Sequence, residues 1–195
     1  MGSVIEKRFI SHQKIFELSV ELGLAVAEDR FSPQLVVAIW RGGSLPCHIV
    51  HEVLQRTGQS CDSFVVTVQS YQGIANRGSS FHVDGLDGLL NRCRQVEKVL
   101  IVDDIVDTGH TMHYLVQTIL DQSPQVNIKT AVLFARSHTA QSVDFCQEID
   151  DRWLVFPHEL QGLTADELSH HEHLSAPQIE KLLTLSGHSD WSLDG

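Results

Sequence analysis

Three observations predict an α/β fold with a mainly parallel central sheet and helices on both faces. First, four short apolar runs rich in β-branched residues, Leu35–Ile39, Phe64–Val68, Val99–Val102 and Thr130–Ala135, read as buried strands. Second, segments of helical periodicity alternate with these runs, which implies crossover connections and parallel neighbours. Third, the polar residues capable of chemistry, Trp40–Ser44, Ser70-Tyr71, Asp103–Thr111 and Arg136, all follow the carboxyl ends of strands. That edge is where open α/β sheets hold their ligands.

Taken in order, Ser11 can cap a helix that carries Ile15, Phe16, Leu18, Leu22 and Val26 on broadly one side. The strand 35–39 ends at Trp40-Arg41-Gly42-Gly43-Ser44, and a helix follows from Leu45-Pro46, where proline suits the first turn. After the strand 64–68, the polar stretch Gly73–Gly88 is expected to be a loop with room for a short hairpin. The strand 99–102 leads through an acidic turn into a helix with Met112, Leu115, Val116, Ile119 and Leu120, broken at Ser123-Pro124. The strand 130–135 follows. From Gly162 the chain is more polar, with a short amphipathic helix at Ala176–Leu185, capped by Ser175 and stopped by Gly187.

A length of 195 residues suits one domain with a full core. The 14 Lys+Arg against 25 Asp+Glu give a net charge of −11, which argues against nucleic acid or an anionic membrane as partner. Cys47, Cys61, Cys93 and Cys146 form no Cys-x-x-Cys pair and are expected to be free thiols. With no apolar leader and no run able to span a bilayer, a cytoplasmic location is expected.

The densest chemistry lies in Val99-Leu100-Ile101-Val102-Asp103-Asp104-Ile105-Val106-Asp107-Thr108-Gly109-His110-Thr111. A buried strand running through a hydroxyl-bearing turn into a helix makes an anion site, because unpaired N–H groups and the positive helix end point to one spot. Three acids beside such a cradle must serve something else: a cation such as Mg²⁺, sugar hydroxyls, or a proton to be removed. A phosphorylated sugar satisfies both halves.

This segment resembles the phosphoribosyl-pyrophosphate (PRPP) signature of the type I phosphoribosyltransferases, in particular the 6-oxopurine branch of hypoxanthine–guanine and xanthine–guanine enzymes. The resemblance runs from about Ser11 to Glu159. It implies a central sheet with a small hood, a domain over 1–161, and a C-terminal helical extension over 162–195 that is not an independent domain. It also implies that Asp103 and Asp104 hold the ribose hydroxyls, with Asp104 also in the Mg²⁺ shell. Asp107 would exchange a proton with N7 of the purine, and its acidity points to a 6-oxopurine rather than adenine or orotate. Thr108, Gly109, His110 and Thr111 would wrap the 5′-phosphate.

Arg41-Gly42-Gly43 resembles the family's pyrophosphate loop, which carries a cis peptide. Ser70-Tyr71 with Arg77 resembles its flexible lid, in which Tyr71 and Arg77 serve the diphosphate. Trp153-Leu154-Val155-Phe156-Pro157 resembles the hood, where Trp153 stacks on the base and the backbone of Leu154 reads its edge. One position departs from the pattern. Arg136 stands where the branch has a lysine that donates to the purine 6-oxygen.

The implied activity is transfer of the phosphoribosyl group from PRPP to hypoxanthine, guanine or xanthine, with Mg²⁺, in a homodimer or homotetramer. The alternative is a non-catalytic PRPP- or nucleotide-binding regulator on the same fold. An aspartic protease is excluded by the single Asp-Thr-Gly followed by a helix. His170, His171 and His173 read as a solvated tail rather than a metal site.

Overall fold

The computed structural model describes residues 6–72, 79–161, 163–169, 171 and 174–186. The elements are β1 (Lys7–Phe9), α1 (His12–Asp29), β2 (Leu35–Trp40), α2 (Ser44–Arg56), β3 (Asp62–Gln72), β4 (Ser79–Asp84), α3 (Leu86–Cys93) and β5 (Lys98–Val106). They continue with α4 (His110–Gln122), β6 (Asn127–Ala135), β7 (Phe145–Ile149), β8 (Trp153–Val155), α5 (Ala165–Ser169) and α6 (Ala176–Ser186). The chain forms two compact units, His12–Asp151 and Met1–Ser11 with Arg152–Gly195.

The larger unit holds a six-stranded sheet in the order β4-β3-β2-β5-β6-β7. All its neighbours are parallel except β3 and β4, which pair antiparallel from Thr67↔Asp84 to Gln72↔Ser79. The sheet is therefore mainly parallel, as predicted. Leu35 through Ile39 are all buried, since each face of a central parallel strand is covered.

Alternate strand residues divide between the two faces. Leu35, Val37, Ile39, Val99 and Ile101 pack into one cluster with Leu89, Leu90 and Cys93 of α3 and Met112, Leu115 and Ile119 of α4. On the opposite side α1 and α2 pack on each other and on the sheet, burying Ile15, Leu18, Leu22 and Val26 of α1 with Val50 and Leu54 of α2.

Two parts of this unit differ from the sequence expectation. The stretch 73–88, expected to be a loop with room for a short hairpin, holds β4, which pairs with β3 as a hairpin, and also the start of α3, which was not expected; its residues 73–78 lie outside the described residues. The strand β7 was not expected, because Phe145-Cys146-Gln147-Glu148-Ile149 mixes polar and apolar residues at an edge that needs burial on fewer sides. The β3–β4 hairpin is joined to α4 by a stack of Phe81 on Tyr114, with ring centroids 4.8 Å apart.

In the smaller unit β1 and β8 pair in parallel, from Lys7↔Trp153 to Phe9↔Val155. Val155, Leu163 and Leu168 form its apolar cluster, with Leu160, Leu174, Ile179 and Leu183 packed against them. A reciprocal cap starts α5. Thr164 N donates to Glu167 Oε2 at 2.9 Å while Glu167 N donates to Thr164 Oγ1 at 3.2 Å. Before α6, the expected cap residue Ser175 donates to Gln178 Oε1 from its N at 2.9 Å and from its Oγ at 2.7 Å. His170 and His173 lie outside the described residues.

Candidate active site at the carboxyl edge of the sheet

Parallel order brings the carboxyl ends of β2, β5 and β6 to one edge, and the turn that follows each carries the polar residues. The turn after β2 begins with a cis peptide between Trp40 and Arg41. The resemblance implies a cis peptide in this loop, and the one observed stands at the entrance to the Arg-Gly-Gly triplet. Gly43 N donates to Ile39 O at 3.0 Å and Ser44 N to Arg41 O at 3.2 Å, so the triplet is folded tightly over the strand end.

The turn lies directly on β5. A Cβ at Gly43 would stand 2.6 Å from Val102 O, 2.7 Å from Ile39 O and 2.9 Å from Asp103 Cα, and one at Gly42 would overlap the Asp104 carboxylate. Only hydrogen side chains allow this approach, which puts the Arg41-Gly42-Gly43 backbone against the two acids. Gly43 is a site residue that the sequence reading left without a role of its own.

Asp103 and Asp104 are both partly buried. Asp104 N donates to Asp103 Oδ1 at 2.9 Å, and Ile105 N donates to Asp104 Oδ1 at 2.8 Å. Burial, and after it the adjacent Asp104 carboxylate, hold the Asp103 carboxyl well above the usual carboxylate range. The amides of Asp104 and Gly43 act in the opposite direction and are outweighed. A cation or hydroxyl donors placed here would relieve the crowding of two acids.

The donor set fits Mg²⁺ in the form that cation prefers. Among the described residues no group of three or more His, Cys, Asp or Glu could cage a metal. Mg²⁺ commonly takes one or two carboxylates and completes its shell with water and substrate oxygens. Asp104, fixed by the Ile105 amide and facing the Gly42 cradle, suits that role.

Beyond β5 the chain turns through Asp107 and Thr108 to Gly109, which has φ +77° and caps the start of α4. A left-handed residue at this point favours glycine. His113 N donates to Gly109 O at 2.9 Å, while His110 N reaches Thr108 Oγ1 at 3.5 Å. The first amides of α4 lie beside Thr108 and Thr111, where the sequence leads one to expect an anion cradle. His110 is exposed.

The turn after β6 supplies the least anticipated contact. Arg136 Nε donates to Asp107 Oδ1 at 2.6 Å, and Arg136 Nη1 donates to the main-chain oxygen of Asp150 at 3.0 Å. Thr139 underpins the turn: its Oγ1 donates to Val106 O at 2.9 Å and accepts from Arg136 N at 3.2 Å. Neither Thr139 nor Asp150 was singled out beforehand, although Arg136-Ser137-His138-Thr139 is a polar cluster of turn-forming type.

Tyr71 is in β3, its backbone paired with Ser80, and Arg77 is outside the described residues. Trp153 and Leu154 belong to the smaller unit. Trp153 is 54 % exposed, as stacking on a planar ligand requires, whereas Leu154 is buried. No helix among the described residues is long and apolar enough to cross a membrane.

Comparison with known proteins gives a consistent result. The family described as phosphoribosyl transferase domain matches residues 10–161. The hypoxanthine-guanine phosphoribosyltransferase of Lactococcus lactis is 30 % identical over 131 residues, covering 67 % of this chain and 68 % of that protein. Among solved structures, the purine phosphoribosyltransferase of Pyrococcus horikoshii superposes with a TM-score of 0.62 at 22 % identity, covering 78 % of this chain and 94 % of that one. A hypothetical protein from Neisseria gonorrhoeae with bound ppGpp gives a TM-score of 0.66 at 18 % identity, with coverages of 83 % and 93 %. At these identities the structural likenesses establish the fold alone. The match over residues 10–161, with the sheet order and the acidic edge, places this chain in the type I phosphoribosyltransferase superfamily.

Proposed function

We propose that this protein transfers the 5-phosphoribosyl group from PRPP to a 6-oxopurine, hypoxanthine, guanine or xanthine, releasing pyrophosphate. The observation that carries this reading is the packing of Gly42 and Gly43 onto Asp103-Asp104, one turn of chain before Asp107 and the start of α4. Each part has a matching piece of substrate. The amides and hydroxyls of Thr108–Thr111 bind the 5′-phosphate, Asp103 and Asp104 take the ribose hydroxyls, and Arg41 with the Gly42 backbone receives the diphosphate. Asp104 would hold Mg²⁺, which would supply positive charge to neutralise the diphosphate.

In the reaction an imidazole-ring nitrogen of the purine forms a bond to C1 of the ribose as the bond from C1 to the diphosphate oxygen breaks. The proton released from the ring at N7 passes to the Asp107 carboxylate, so charge balances as the diphosphate leaves. Trp153 stacks on the base and the backbone of Leu154 meets its edge. Tyr71 and Arg77 belong to a lid that keeps water from the cationic sugar. Positioning and charge stabilisation supply most of the rate.

The test is incubation with PRPP, Mg²⁺ and a panel of purines, followed by pyrophosphate release. Release with a 6-oxopurine and none with adenine supports the assignment. If every base fails while PRPP or a guanine nucleotide binds, the protein is a non-catalytic binder.

A further inference from the structure

Arg136 occupies the position from which, by resemblance, a cation would reach the purine 6-oxygen. Its side chain is only 11 % exposed, against 61 % for Asp107, and its Nε and Nη1 are both engaged. Nε holds Asp107 Oδ1 at 2.6 Å, and Nη1 holds Asp150 O at 3.0 Å, just past the end of β7. The Arg136 amide is itself held, by Val106 O at 3.3 Å and by Thr139 Oγ1 at 3.2 Å. The guanidinium thus clamps the exposed carboxylate after β5 to the main chain after β7.

A planar fork with donors in fixed directions can span two acceptors in this way. Lysine, one nitrogen on a flexible stem, cannot reproduce both directions at once. We propose that Arg136 is a positioning residue: it fixes Asp107 for proton exchange and does not itself read the base. This rests on the phosphoribosyl-transfer reading above. With Oδ1 engaged, Oδ2 is the oxygen left to meet the purine ring N–H. The position that the resemblance assigns to reading the base serves the neighbouring acid instead.

The experiment compares wild type, Arg136→Gln, Arg136→Lys, Asp107→Asn and the Arg136→Gln/Asp107→Asn double variant. Each is assayed with hypoxanthine and with unsubstituted purine, which lacks the 6-oxygen. Arg136→Gln should lower kcat about 10- to 100-fold and change KM for the base by less than about 3-fold, with no rescue by lysine. The preference for hypoxanthine over purine should stay within about 3-fold of wild type. In the Asp107→Asn background the Arg136→Gln change should cost less than about 2-fold more, as expected of two residues acting as a unit.

A raised base KM, a collapsed preference for hypoxanthine, or additive losses would overturn the proposal in favour of direct reading of the base. So would a normal kcat in Arg136→Gln. Thermal melting and PRPP titration check that the variants fold, and Arg136→Lys, which keeps the charge, carries the test if glutamine does not. A wild type inactive with every base defeats the transfer reading itself. The clamp then has its own readout in the NMR signal of Arg136 Nε–H, whose absence from wild type would refute the pairing.

Discussion

Gly42 lies so close to Asp104 that the first carbon of any side chain there would overlap the carboxylate. The contact ties the turn after β2 to the acid pair of β5, and it sets a sharp limit on substitution. Gly42→Ala should push Asp104 out of place and lower kcat/KM for PRPP at least about 100-fold, while melting changes little because Gly42 is only partly buried. Gly43→Ala should behave differently. Its Cβ meets backbone, Val102 O and Ile39 O, which cannot swing aside, so it should cost about 1–3 kcal/mol of stability as well as activity. Steady-state kinetics beside urea unfolding separates the two.

Asp103 should trade stability for binding. Its folded-state pKa is raised by burial and by Asp104, so the unfolded chain gives up its proton first as pH rises. Below the unfolded value both states are protonated and Asp103 has no effect. Above it the acid destabilises the fold, increasingly until pH passes the folded value. Asp103→Asn should therefore raise the urea midpoint at pH 7 and leave it unchanged near pH 3. The same variant should bind PRPP–Mg²⁺ at least about 10-fold more weakly, through loss of charged hydrogen bonds. An unchanged midpoint at pH 7 would refute the buried-acid account.

Asp107 should matter for turnover and not for capture of the sugar donor. It is exposed, outside the Gly42–Asp104 contact, and paired through Oδ1 with Arg136. Asp107→Asn retains an acceptor for Arg136 Nε but loses the basic carboxylate. We expect kcat to fall about 10²- to 10⁴-fold. PRPP–Mg²⁺ affinity by titration calorimetry should stay within about 2-fold. Comparable losses in both would move Asp107 into the sugar-binding set.

The thiols should be inert in the native protein. Burial pushes Cys47 up to about 12 and Cys61 and Cys93 up to about 11, so almost no thiolate exists at pH 8. Cys146, less buried, is raised as well. Ellman's reagent at pH 8 should label Cys146 first and slowly. All four cysteines should react within minutes in denaturant. Rapid labelling of Cys47 without denaturant would mean that α2 opens readily.

The sequence made the parallel core legible because its strands are buried on both faces. Leu35–Ile39 and Val99–Val102 are continuously apolar, and their short length and β-branched residues separate them from a buried helix. The half-covered strands β4 and β7 carry polar residues such as His82 and Gln147, and their pattern is that of a loop. The acids and the Gly-rich turn could be read because a local spacing encodes them. The Arg136–Asp107 clamp could not, because its partners are 29 and 14 residues away and only the sheet order brings them together. The close approach of Gly42 to Asp104 was hidden for the same reason.

The three carboxylates within five residues of β5 and its turn also bear on how fast a ligand arrives. The chain as a whole carries a charge of −11, so a polyanion diffusing toward this edge meets a repulsive field before it meets any amide. That repulsion is screened over about 8 Å at physiological ionic strength. Added salt should therefore quicken the association of a free sugar diphosphate, the reverse of what a basic cleft would show. A magnesium-neutralised one should respond less, which would make counter-ion pairing in bulk solution part of how this edge selects the form of ligand it admits.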